Sequence, residues 1–80
     1  MNVESELFRR AVEASRLTKL VAPFTMTRLL VRAGVTPARL TREDLARALP
    51  VIEDGLRVYL DNGELAEALS DLRALAAGAA

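Results

Sequence analysis

The apolar positions of this chain recur three and four residues apart, and no stretch alternates with a period of two. Such spacing marks amphipathic helices, because residues at i, i+3, i+4 and i+7 line one face of a helix. Val3, Leu7, Ala11, Ala14, Leu17 and Val21 share a face while Arg9, Glu13, Arg16 and Lys19 take the other, which predicts a long first helix over residues 3–22. Phe8 and Val12 widen its apolar side, so it is expected to touch two neighbours. Pro23 has no N–H to give to a preceding turn and is read as the stop.

A short second helix follows, capped by Thr25 or Thr27, carrying Met26, Leu29, Leu30 and Ala33 and ending at Gly34. Thr41 and Asp44 stand at capping-box spacing before the third helix; Thr36 with Pro37 is an alternative start, and both hold if a short turn precedes the main helix. Leu45, Ala48, Leu49, Ile52, Leu56, Tyr59 and Leu60 form one stripe whose phase continues across Pro50. This predicts a single long helix kinked at Pro50, with the proline on the polar side. Asp61 and Glu64 can cap a last helix with Leu65, Ala68, Leu69, Leu72, Leu75 and Ala76 along one face, and the tail 77–80 has nothing to bury and is expected to fray. The expected fold class is all-α: one domain, residues 1–80, built as a small bundle of four helices, one long, one short, one long and Pro-kinked, one medium.

Composition sharpens this picture at two points. The 80 residues contain no Cys and no His, so neither disulfides nor the usual zinc sites can staple the fold, and burial of apolar surface must hold it. Yet 51% of the chain is hydrophobic, more large side chains than so small a domain hides easily, so the bundle is expected to dimerise. Val51 and Val58, seven apart and off the main stripe of the third helix, form a second apolar seam. With Phe8 and Val12 on the broad flank of the first helix, they are the candidate partner-binding residues.

Net charge is zero but uneven: residues 1–49 sum to +4 and residues 50–80 to −4. Arg28, Arg32, Arg39, Arg42 and Arg47 make the middle third basic and are the candidate nucleic-acid contacts. The neutral total, and the placing of Tyr59 on a core stripe, weigh against nucleic acid as the main partner. Ten of the eleven basic residues are Arg, and Ala and Leu dominate, which fits a GC-rich bacterial genome. No signal-peptide pattern opens the chain and no apolar run reaches about 18 residues, so a cytoplasmic protein without a membrane span is expected.

Catalysis is not expected. Without His or Cys the common nucleophilic triads cannot be built, and Lys19 sits on a charged face with no paired base. Gly34, Gly55, Gly63 and Gly78 are too scattered for a phosphate loop, so no cofactor is expected. Glu53, Asp54, Asp61 and Glu64 cluster, but "DNGE" supplies only Asp61 in register for a calcium loop, and capping accounts for these carboxylates without a metal.

The stretch "LLVRAGVTPARLTREDL", residues 29–45, resembles a helix-turn-helix: Gly34 stands at the turn, Leu29 and Ala33 before it, Val35 after it and Leu40 six positions beyond. Leu30 occupies a position where that family favours a small residue, and Glu43 one where it places a core residue. The resemblance implies a degenerate helix-turn-helix around residues 27–48, with residues 36–47 as recognition helix. The same residues are similar to the middle of a sterile alpha motif domain, in which a Gly-apolar corner leads into a turn like "LTREDL" and a Gly-containing helix like "EDGLRVYL". Here the corner is shorter and "DNGELAEALSDL" adds a helix. The sequence thus points first to a small regulatory interaction or oligomerisation module acting on itself or a protein partner, and second to a DNA-binding regulator.

Overall fold

The computed structural model describes residues 6–78, which form helices α1 (Glu6–Ala14), α2 (Ala22–Arg32), α3 (Arg42–Leu56) and α4 (Asn62–Ala77), with a 3-10 turn at Pro37–Arg39 between α2 and α3. α1 packs on α2 and α4, α2 packs on α3, and α3 packs on α4, so the four helices close a ring around one core. Met26, Leu30, Leu45, Ile52, Leu56 and Leu72 are fully buried at its centre. The expected apolar faces of α3 and α4 supply four of these six, and the breadth of α1 serves its two neighbours.

The first helix is shorter than its periodicity predicts. Ser15 is buried, its hydroxyl donates to the Val12 carbonyl at 2.6 Å and accepts from the Leu17 N–H at 3.3 Å, and this local bonding competes with the next helical turn. Arg16 then turns into the left-handed region at φ 65°, a conformation that costs a non-glycine residue about 1–2 kcal/mol. Its guanidinium reaches across to α4, 2.9 Å from Asp71 and 3.7 Å from Glu67, which holds the corner. Residues 3–5 of the expected helix lie outside the described residues.

Pro23 consequently opens α2 instead of closing α1. It occupies the first turn, where a missing N–H is no loss, and α2 runs eleven residues instead of two turns. Neither Thr25 nor Thr27 caps it; Val21 holds the cap position without a side-chain hydrogen bond, and Thr25 is buried within the helix. Gly34 follows at φ 83°, the left-handed exit expected of it.

The two starts expected ahead of α3 coexist. Pro37–Arg39 make the short turn, and Thr41 caps α3 by accepting the Asp44 N–H at 3.0 Å. α3 passes unbroken through Pro50, which is exposed on the polar side as expected. It stops at Leu56, earlier than the stripe implied. Tyr59 and Leu60 donate their N–H groups to the Leu56 carbonyl, tightening the chain, and Tyr59 swings out of the predicted core stripe to stand 54% exposed. Asp61 and Glu64 complete a reciprocal capping box on α4, with N–H to carboxylate distances of 2.7 and 3.1 Å. Ala77 ends α4 and Gly78 caps it at φ 82°; residues 79–80 of the expected frayed tail lie outside the described residues.

Candidate functional site

With the core closed, the apolar side chains it leaves outside gather on one region. Val21, Phe24, Arg28 and Val31 are spaced three, four and three apart, so they share the outer face of α2, opposite the face that buries Met26, Leu29 and Leu30. Phe24 is 74% exposed and Val31 58%, and Leu20, just before the helix, is 85% exposed. At the end of α3, Val58 and Tyr59 are the other large apolar side chains standing out among the described residues.

A cleft of about 120 Å³ lies between α2 and the end of α3, lined by Thr25, Arg28, Leu29, Arg32, Gly55, Val58 and Tyr59. Its floor exists because residue 55 is glycine. A Cβ there would lie 2.3 Å from a Leu29 methyl, so any larger residue at 55 would force the Leu29 side chain out of its present place between α2 and α3. Arg28 belongs to both the apolar face and the cleft wall.

The segment that carries the α2 face is charged with one sign. No Asp or Glu occurs between Glu13 and Glu43, an interval holding Arg16, Lys19, Arg28, Arg32, Arg39 and Arg42. Arg16 is engaged by Glu67 and Asp71. Among the described residues, the ion pairs within 4.0 Å otherwise join Arg9 and Arg10 to Glu6, Arg47 to Asp44 and Arg57 to Glu53. Lys19, Arg28 and Arg32 therefore carry cations that no carboxylate of the described residues neutralises at contact distance.

The residues singled out from sequence distribute unevenly over this surface. Phe8 is only 5% exposed and belongs to the core, and Val12 packs against that core, so the breadth of α1 is consumed internally and is no free flank. Val51 is half-buried on α3, while Val58 lies beyond the helix end at 80% exposure; because α3 stops at Leu56, the two valines do not form a continuous seam. Of the four, Val58 alone lies at the cleft. Of the arginines, Arg28 and Arg32 line the cleft, Arg39 is in the 3-10 turn, and Arg42 and Arg47 are on α3, where Arg47 donates to Asp44. That hydrogen bond, aided by Thr41, holds the Asp44 carboxyl below its usual range.

Residues 36–47 are not one helix, as a recognition helix would need. The 3-10 turn is followed by extended Leu40 and Thr41, and only from Arg42 does α-helix run. Glu43 is exposed, not a core residue. Asp61 and Glu64 are engaged in their capping box. The larger hollow between α1 and α4, about 420 Å³, is lined by Arg10, Glu13, Arg16 and Asp71 among others, and the Arg16–Asp71 pair already neutralises part of its wall.

Leu20, Val21, Phe24, Val31 and Tyr59 were missed as surface residues by the sequence reading. For Phe24 and Val31 the signal was present: at 100° per residue both fall opposite the Met26–Leu30 face. No family model, no curated protein and no solved structure matches the chain.

Proposed function

We propose that this protein is a small, non-enzymatic helical interaction module with a regulatory role, presenting a helix face to a protein partner or to a second copy of itself. The observation that carries the reading is the outer face of α2 with its neighbours Val58 and Tyr59. Large apolar side chains stand in solvent there although the fold beneath them has closed its core. Single exposed apolar residues are ordinary, but several gathered on one helix face and one adjoining cleft are the usual mark of a contact surface. In a compact four-helix ring, Leu20 and Phe24 contribute nothing to the interior, so their value lies in what they touch outside. The expected dimer is one form this contact can take, with the α2 face in place of Phe8, Val12 and the valine seam.

The test is the mass in solution and its response to Phe24→Ser. Light scattering at micromolar concentration is expected to give a dimer, or a monomer that becomes a defined complex with a protein ligand. In either case Phe24→Ser abolishes association and leaves the helical far-UV circular dichroism spectrum of the folded chain unchanged. A strictly monomeric chain that binds nothing overturns the reading.

DNA binding is a second reading, favoured by one observation: Arg28, Arg32, Arg39 and Arg42 have no carboxylate partner within 4.0 Å among the described residues. It predicts binding to duplex DNA that falls steeply with added salt and weakens after Arg39→Ala or Arg42→Ala. Undetectable binding at low salt removes it. The absence of a continuous helix over residues 36–47 leaves this reading to phosphate contacts alone.

A further inference from the structure

We infer that the α2 face and its cleft receive an acidic amphipathic helix from a protein partner; this rests on the interaction-module reading and names the occupant of its surface. The argument begins with the mismatch between apolar exposure and charge. Leu20, Val21, Phe24 and Val31 offer a greasy strip of about three helical turns, and Arg28 stands within it with Arg32 and Lys19 close by in the chain. Any occupant must meet both. An apolar helix without carboxylates would bury unpaired guanidinium groups, which costs several kcal/mol. An acidic helix with apolar anchors three and four residues apart satisfies the strip and the cations together, the helix-in-groove mode of recognition.

A second copy of this chain is a poorer fit. In a two-fold contact of α2 on α2, Arg28 near the middle of each strip faces its own counterpart with no carboxylate in the whole interval 14–42 to separate them. Five of the six carboxylates in the acidic half of the chain are already engaged, Asp54 being the exception. Glu67 and Asp71 hold Arg16, Glu53 holds Arg57, and Asp61 and Glu64 cap α4. Among the described residues no carboxylate lies at contact distance from the cations of α2, and a single Asp54 per copy does not match them, so the carboxylates that complete them come from a partner.

Shape separates a protein partner from a lipid surface. A membrane-bound helix keeps its cations on the face opposite its apolar residues, whereas here Arg28 lies between Phe24 and Val31 along the strip and also lines a cleft of about 120 Å³ with Arg32 and Tyr59. Nucleic acid would engage Arg28 and Arg32 but leave Leu20, Phe24 and Val31 without a role.

The test uses the full chain, labelled with nitrogen-15, and four probes. These are a designed amphipathic helical peptide with Leu anchors and Glu flanks, its twin with Lys in place of Glu, phosphatidylserine-containing vesicles, and a DNA duplex. The expected result is binding of the Glu peptide with amide shifts centred on Phe24, Arg28, Val31, Val58 and Tyr59, and an affinity at least about tenfold above that of the Lys twin, since one contact of matched charge alone supplies that much. The double variant Arg28→Glu, Arg32→Glu, both exposed and unpaired, is expected to keep its thermal midpoint and to invert the preference. Equal affinity for the twins, shifts remote from α2, or tighter binding to vesicles or duplex overturns the proposal. Light scattering of the free protein separates the two levels. A dimer whose α2 resonances do not change on dilution, and which ignores both peptides, sinks this site but keeps the interaction module; a monomer that binds no probe sinks both.

Discussion

Gly55 offers a sharp check on how α2 meets α3. Replacing it with alanine puts a methyl 2.3 Å from Leu29 Cδ2 and 2.8 Å from Cδ1, so the Leu29 side chain must retreat by roughly 1.1 Å to restore ordinary contact at 3.4 Å. Leu29 is 6% exposed and has little room. Overpacking of this kind costs about 1–3 kcal/mol. Alanine in place of a helical glycine returns up to about 1 kcal/mol, so Gly55→Ala should destabilise by about 0–2 kcal/mol net. The two contributions separate in a background that removes the obstacle. Leu29→Ala alone costs about 2–5 kcal/mol, but once it is made the methyl at 55 meets empty space and only the helical gain remains. Gly55→Ala is then stabilising by up to about 1 kcal/mol, and the coupling between the sites is about 1–3 kcal/mol. Urea unfolding followed by far-UV circular dichroism on the four proteins measures this cycle, with sulfate in every sample to keep the Leu29 variants folded. If Gly55→Ala stabilises the wild type as much as it stabilises Leu29→Ala, the helices do not touch there and the cleft floor is not as described.

Further outcomes follow from the corner and the caps. Arg16→Gly and Arg16→Ala lose the same exposed ion pairs, so their difference reports the left-handed backbone: the glycine variant should be the more stable by up to about 1 kcal/mol in urea, and equal midpoints would refute that geometry. Thr41→Ala and Asp61→Ala each remove an N-cap and should cost about 1 kcal/mol, adding when combined because they belong to different helices. Asp44 should titrate below its ordinary value of 3.8 by carbon-detected NMR, and Arg47→Ala should raise the midpoint. Because folding lowers this pKa, its contribution is fully present above the unfolded value and is lost as pH falls through the folded one, so Arg47→Ala should lower stability at neutral pH and match the wild type again in acid.

The helices with explicit end chemistry were legible from the residues: the Thr41 and Asp61 caps, Gly34 as exit and Pro50 on the polar side all stand where the pattern puts them. What failed was continuity. Apolar periodicity runs from Val3 to Val21 and from Leu45 to Leu60 without a break, yet Ser15 and the turn after Leu56 end both helices early. Periodicity records which side of a helix would face inward, and it cannot register a serine hydroxyl that bonds its own backbone or a left-handed arginine whose ion-pair partners lie about fifty residues away. The partner-binding candidates suffered from the same blindness. Phe8 and Val12 were judged by the width of one helix, although that width is used up by the contacts of α1 with both α2 and α4. The α2 face was missed because the helix was drawn too short to display Phe24 and Val31 as a pair.

The closure of the helix ring has a topological consequence. Arg42, at the start of α3, sits beside Glu6 and Leu7 in one hollow and within reach of Gly78, so both ends of the described chain converge on a single residue. Covalent order and spatial order are therefore separable in this molecule. A short flexible splice between residues 78 and 6, with new termini opened in the exposed link after α3, would yield a circular permutant with the same neighbours for every helix and the α2 face untouched.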